Sequence, residues 1–247
     1  MVDLLVRKLE RYVRLSPAEK SALKLAAGDT VRTYAARQDI VCEGDNPTTV
    51  NVMLAGHASR YKTLKDGRRQ IVAFFLPGDL CDARVFVLKA MDHSIGAISP
   101  VRLAEIPAQR FIALTDDFPR LTRALWWNTL VAEAIAREWI LSVGQRSALE
   151  RMAHLLCELF VRLDVVGLVR GDACELPLTQ TDLAEALGIS GVHANRTLQI
   201  LRASGLITFR GGVLTIHDLK GLMEVGLFNG AYLHLEREGA PLDAAPA

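Results

Sequence analysis

The chain has 247 residues, a formal net charge of +1 and 50% hydrophobic residues, which is room for about two domains with sizeable cores. The near-neutral balance excludes a basic tail as the driver of nucleic-acid binding, so such affinity would have to come from local patches. No apolar run approaches the roughly 20 residues of a membrane span. The start, Met1-Val-Asp-Leu-Leu-Val-Arg-Lys-Leu-Glu10, lacks the order of a signal peptide, so a cytoplasmic protein is expected.

Residues 3–27 read as helical, with Ser16-Pro17-Ala18-Glu19 starting a second short helix because proline after a serine cap is favourable there. From Asp29 to about Val101 the pattern changes to short β runs. Strands are predicted at Thr30–Tyr34, Ile40–Cys42, Val50–Ala55, Ala58–Lys62, Gln70–Phe75, Ser94–Ala97 and Val101–Glu105. Turns are marked by Glu43-Gly-Asp-Asn-Pro47, Gly56, Lys65-Asp-Gly67 and Pro77-Gly-Asp79. Many short strands at this spacing predict a sandwich or barrel.

A long helix is predicted over Phe118–Val143. Leu121, Leu125, Asn128, Ala132, Ile135 and Trp139 recur at steps of four and three, a heptad seam suited to pairing two chains. The other face carries Trp126, Trp127, Leu130 and Val131, which suit packing on the chain's own β-domain, and both uses are open. Asp116-Asp117 reads as a charge pair at the helix start. Gly144 interrupts the pattern, and Ser147 can cap a further helix carrying Leu149, Met152, Leu155, Leu156, Leu159 and Phe160. The expected boundary and hinge lie at Val143–Ser147, and Val165–Glu175 reads as a loop.

Residues 178–214 read as helix, tight turn, helix, hairpin. Thr179 can cap the first helix, Ser190 the second, and Gly188 sits at the turn. Val192, Asn195, Arg196 and Gln199 fall on one side of the second helix, and Ala194, Leu198 and Leu201 on the other. The apolar side can dock on Leu183, Ala184 and Leu187. The opposite side offers an arginine suited to guanine O6 and N7, carboxamides suited to adenine and a valine suited to the thymine methyl. From Ala186 to His217 there is no acidic residue, while Arg196, Arg202 and Arg210 fall in that window. Leu206–Ile216 reads as two strands about an Arg-Gly-Gly turn, the wing of a winged helix with Arg210 near its tip. The Ala- and Pro-rich tail, residues 239–247, is expected to be flexible.

The four cysteines, Cys42, Cys81, Cys157 and Cys174, show no metal or cluster spacing, and reduced thiols are expected. His154 and Cys157 share a helical face, but two ligand types alone do not define a metal site. No phosphate-binding glycine loop, nucleophile elbow or metal triad is present, so an enzyme is not expected.

In this order, Glu43-Gly-Asp45, Lys65-Asp-Gly-Arg-Arg-Gln-Ile71, Phe74-Phe-Leu-Pro-Gly-Asp79 and the helix-turn-helix resemble the cyclic-AMP receptor protein / fumarate–nitrate regulator (Crp/Fnr) superfamily of bacterial transcription factors. The resemblance covers nearly the whole chain. It implies an α+β fold: a cyclic-nucleotide-binding-like β jelly roll (1–117), a long dimerisation helix (118–143) and a C-terminal winged helix-turn-helix (147–225). It also implies a homodimer on a palindromic site in double-stranded DNA, with RNA polymerase as a further partner.

By the same resemblance Val192, Asn195 and Arg196 would read bases, and Ser190 and His193 would hold phosphate. Gln199, Arg202 and Arg210 complete the expected DNA surface. Val192 stands where glutamate is common in the best-known members, so the half-site should differ at that base. Cyclic-nucleotide binders of the family resemble Gly-Glu-Leu followed by Arg-Ser-Ala. Here the stretch reads Cys81-Asp-Ala-Arg84 and later Asp92-His-Ser-Ile95, with His93 at the phosphate position, so tight cyclic-AMP binding is not expected. The candidates for an effector pocket are Cys81, Asp82, Arg84, His93 and Ser94. The iron–sulfur branch needs an N-terminal cysteine cluster that residues 1–41 lack. Haem-sensing members use axial His or Cys, for which His57, His93, Cys42 and Cys81 are candidates of a commonplace kind. The alternative reading is a β-roll ligand-binding module whose helix-turn-helix contacts protein rather than DNA.

Overall fold

The computed structural model describes residues 2–81, 90–236 and 243. The chain divides into two compact units, one of Met1–Arg60, Phe74–Glu133 and Leu233–Ala247, the other of Tyr61–Ala73 and Ala134–Tyr232.

Two helices open the first unit, α1 (Asp3–Leu9) and α2 (Pro17–Ala27). α2 begins where its sequence demands: the Ser16 hydroxyl accepts from the Glu19 amide, the Glu19 carboxylate accepts from the Ser16 amide, and Pro17 fills the first helical position. Along the chain, among the described residues, eight strands follow: β1 (Val31–Tyr34), β2 (Asp39–Val41), β3 (Thr49–Ala55), β4 (Ala58–Thr63), β5 (Arg69–Phe75), β6 (Leu80–Cys81), β7 (Ser94–Ala97) and β8 (Val101–Pro107). They form two antiparallel sheets of order β1-β8-β3-β6 and β2-β7-β4-β5. The buried cluster Val41, Met53, Ala58, Phe75, Cys81, Met91, Ile95, Ala97, Val101 and Leu103 draws on strands of both sheets. Each of the seven predicted strands is found, with its ends within two residues of the ranges read from the β runs and turn residues. β6 was missed, because two residues carry no periodic signal.

α3 (Ala108–Asp117) was also missed, and it corrects the reading of Asp116-Asp117: these residues end one helix rather than start the next. The long helix α4 (Pro119–Gln145) runs two residues beyond its predicted end. Gly144 lies inside it, because one glycine costs a helix only about 1 kcal/mol and breaks nothing by itself. The break comes at Arg146–Ser147, where Ser147 caps α5 (Ala148–Val165) and Glu150 closes a reciprocal capping box.

In the second unit α5 is the core helix. Met152, Ala153, Leu156, Cys157 and Leu159 are fully buried. The predicted loop at 165–175 is instead a small hairpin, β9 (Val169–Arg170) and β10 (Ala173–Glu175). β10 pairs with β12 (Val213–Ile216), which in turn pairs with β11 (Ile207–Arg210), so the wing belongs to a four-stranded sheet. α6 (Gln180–Leu187) and α7 (Gly191–Ala203) precede it, and α8 (Leu219–Val225) follows.

A polar cluster lies under α5. The Glu158 carboxylate, wholly buried, accepts from Trp139 Nε1 at 3.0 Å, Arg162 at 3.0 Å and the Tyr232 hydroxyl at 3.1 Å. His154 is stacked on Tyr232, and both its ring nitrogens are engaged, Nδ1 with the Gly226 carbonyl and Nε2 with the Tyr232 hydroxyl. Burial pushes the Cys157 thiol up to about 12. Those commitments leave the His154–Cys157 pair as structure rather than ligands.

The tail 239–247, predicted to be flexible, lies outside the described residues except for Asp243. No described helix is long and apolar enough to cross a membrane.

Candidate nucleic-acid interface

The interface is built from two capped helices. The Thr179 hydroxyl accepts from the Asp182 amide while the Asp182 carboxylate accepts from the Thr179 amide, which fixes the start of α6. Gly188 ends α6 in the left-handed region at φ 65°, a conformation only glycine adopts cheaply. Two residues later the Ser190 hydroxyl accepts from the His193 amide at 3.2 Å and opens α7. The turn is short because both caps sit inside it.

α7 divides as the wheel predicted. Ala194, Leu198 and Leu201 are at most 1% exposed, and on α6 Leu183, Ala184 and Leu187 are buried. Thr197 is buried with them, its hydroxyl donating to the His193 carbonyl one turn back, which satisfies a polar atom where an aliphatic would only pack. Opposite stand Val192, 83% exposed, with Arg196 and Gln199 exposed and Asn195 half-buried. Ser190 and His193 are exposed at the start of the helix. The serine keeps its hydroxyl hydrogen to donate, since capping uses only its lone pair.

The wing turns at Gly211 and Gly212, with φ of 58° and 74°. Two successive residues at positive φ match the twist of the paired strands and hold Arg210, which is exposed, opposite Val213. Arg202 is spent differently from the expectation. Its guanidinium donates to the Phe209 carbonyl, tying the end of α7 to the wing strand, so its first task is structural. One participant was missed: Gln180, at the first position of α6, donates from Nε2 to Asn195 Oδ1 at 3.1 Å. Only the packing of α6 on α7 brings two amides fifteen positions apart into contact.

The effector candidates fare less well. Asp82 and Arg84 lie outside the described residues. Cys81 is buried within the apolar cluster of the β-domain. Ser94 accepts from the Glu43 amide at 2.9 Å. The His93 ring lies between Asp92, at 2.6 Å, and Arg60, whose Nε is 3.0 Å from His93 Nε2. It is therefore already partnered at the position where the family resemblance puts a phosphate. Among the described residues no cluster of metal-ligating side chains occurs.

The predicted dimer seam needs correction. Leu121 is wholly buried and Leu125 only 6% exposed, both inside the first unit, so they cannot meet another chain. Asn128, Ile135 and Trp139 are half-buried, and Ala132 alone of the six is exposed. The large apolar side chains that α4 leaves open are Trp126, Leu130, Ile140, Leu141 and Val143.

A β-domain of two antiparallel sheets followed by a long helix and a capped helix-turn-helix with a wing defines a DNA-binding regulator of the winged-helix class. Comparison with known proteins agrees. Residues 31–118 match the cyclic nucleotide-binding domain, and residues 150–225 match the Crp-like helix-turn-helix domain. The nitrogen fixation regulation protein FixK of Bradyrhizobium diazoefficiens is 31% identical over 75% of this chain and 77% of its own length. The transcriptional activator protein FnrL of Cereibacter sphaeroides is 29% identical over 73% of each chain. The solved structure of FixK2 from Bradyrhizobium japonicum superposes with a TM-score of 0.71 at 24% identity, covering 88% of this chain and 98% of that one. The chain belongs to the Crp/Fnr family of transcriptional regulators, and it is a DNA-binding protein of that type.

Proposed function

We propose that the chain acts as a homodimer on a two-fold symmetric DNA site, each protomer placing α7 in the major groove of one half-site. The observation that carries this is the face of α7, where Val192, Asn195, Arg196 and Gln199 stand away from the apolar side and no acidic residue occurs from Ala186 to His217. Arg196 takes guanine, Asn195 and Val192 read neighbouring bases, and Ser190, His193 and Arg210 hold phosphate. Arg202 supports the wing that carries Arg210. Family members read two half-sites about one helical turn apart, which needs two recognition helices. For the pairing face we take Trp126, Leu130, Ile140 and Leu141 on α4 in place of the buried leucines. RNA polymerase is the partner such a promoter-bound dimer would recruit.

Selection from a duplex pool with randomised sequence tests the reading directly. Recovery of a palindrome with a guanine in each half-site supports it. Retention of DNA irrespective of sequence sinks it and favours the alternative, a β-domain whose helix-turn-helix contacts protein.

A further inference from the structure

We infer that Gln180 sets which pole of the Asn195 carboxamide faces the DNA, and so acts as a positioning residue for base choice. The inference rests on the reading of α7 as the base-reading helix. The carboxamide of asparagine has a donor end and an acceptor end, and an unheld side chain turns either way. Here Gln180 Nε2 donates to Asn195 Oδ1 at 3.1 Å, so the oxygen is engaged by α6 and the two N–H groups of Asn195 are left to serve another acceptor. The backbone that carries Gln180 is fixed by Thr179, directly before it, and Asp182, two residues on, whose capping box starts α6. Asn195 is held within the second turn of a capped helix, between the buried Ala194 and, two and three residues on, the buried Thr197 and Leu198.

The chemistry that follows is specific. With its two N–H groups left to donate, Asn195 serves acceptors: purine N7, guanine O6 or thymine O4. It is poorly placed for the amino groups of adenine N6 or cytosine N4. The free side chain that suits adenine bidentately thus becomes a donor to base acceptors.

Gln180→Glu tests this by reversing the lock. A carboxylate only accepts, so Asn195 must turn its nitrogen to α6 and its oxygen outward. In competition binding on duplexes randomised at each half-site position, preference at one position should swing by roughly tenfold toward adenine or cytosine. Preferences at the other positions should hold. Gln180→Met, which neither donates nor carries charge, should flatten that one position without the swing. In the Asn195→Ala background neither change at position 180 should alter base preference.

A uniform loss on all sequences with a reduced salt slope would show Gln180 to be a phosphate contact and overturn the inference. So would a swing that persists without Asn195. If the unaltered protein shows no sequence preference at all, the reading of α7 itself has failed instead.

Discussion

Arg196 is exposed on α7, and among the described residues no ion pair holds it, so its fork is available to a guanine. Arg196→Ala should weaken binding to the selected site by roughly 1–3 kcal/mol and relax preference at one base pair. Band-shift titration against the site and its single-base variants measures both. Equal loss on every sequence would reduce Arg196 to a phosphate contact. His154 makes a different kind of prediction. Burial first, and the nearby Arg146 second, depress its pKa to about 4 from an ordinary value near 6.5. Between those two values the unfolded chain takes up a proton that the folded chain refuses, so stability falls as pH falls through that window, by up to roughly 3 kcal/mol. His57, also depressed to about 4 by burial, acts in the same sense. Glu158 opposes both, since burial raises its carboxyl and the folded state protonates first as pH falls. Urea unfolding at pH 7, 6 and 5 should show a declining midpoint, and His154→Gln should flatten the decline by its own share, leaving that of His57. An unchanged slope would mean His154 is not the group titrating.

At the level of elements, Gly144 is the informative case. It is helical, and a methyl group built on it meets nothing within 4 Å. Gly144→Ala should raise stability by about 0.5–1 kcal/mol, read as a higher denaturant midpoint, because alanine restricts the unfolded chain and suits the helix. Lower stability would mean the end of α4 needs the glycine after all. This is also where the sequence was misleading, since the helix ends not at its weakest residue but where Ser147 and Glu150 offer the next helix a better start. Caps, turns and the split of α7 were legible because each is settled by side chains within four positions. Allocation of the α4 faces was not. An apolar stripe at heptad spacing looks the same whether it packs on its own sheet or on a second chain, and Leu121 and Leu125 went to the first use. Trp126 and Leu130, which the sequence offered for that use, are the ones left open. The contacts of Arg202 with Phe209 and of Gln180 with Asn195 were invisible for a related reason, as each depends on which surface of one element meets another. The missed strands β6, β9 and β10 have two or three residues and show no period, whereas β2, equally short, was marked by the Glu43–Pro47 turn that follows it.

For the whole molecule the charge balance decides how binding must behave. A chain of net charge +1 has no global field to draw DNA, so on the proposed reading attraction would reside in the acid-free region from Ala186 to His217. Each phosphate neutralised releases counterion, and a dimer making on the order of six to ten such contacts should lose roughly 10³–10⁵ in affinity between 50 and 200 mM salt. A flat salt profile would exclude a phosphate-gripping surface of this size. All three tryptophans of the chain stand on the one long helix α4. Trp126 is open to water, Trp127 stacks on Tyr12, and Trp139 gives its indole hydrogen to Glu158. Indole emission from this protein is therefore a report on a single rod seen at three stations. With Trp126 and Trp127 changed to phenylalanine, the remaining fluorophore would signal, by its wavelength and quenching, the moment that rod lets go of the buried carboxyl.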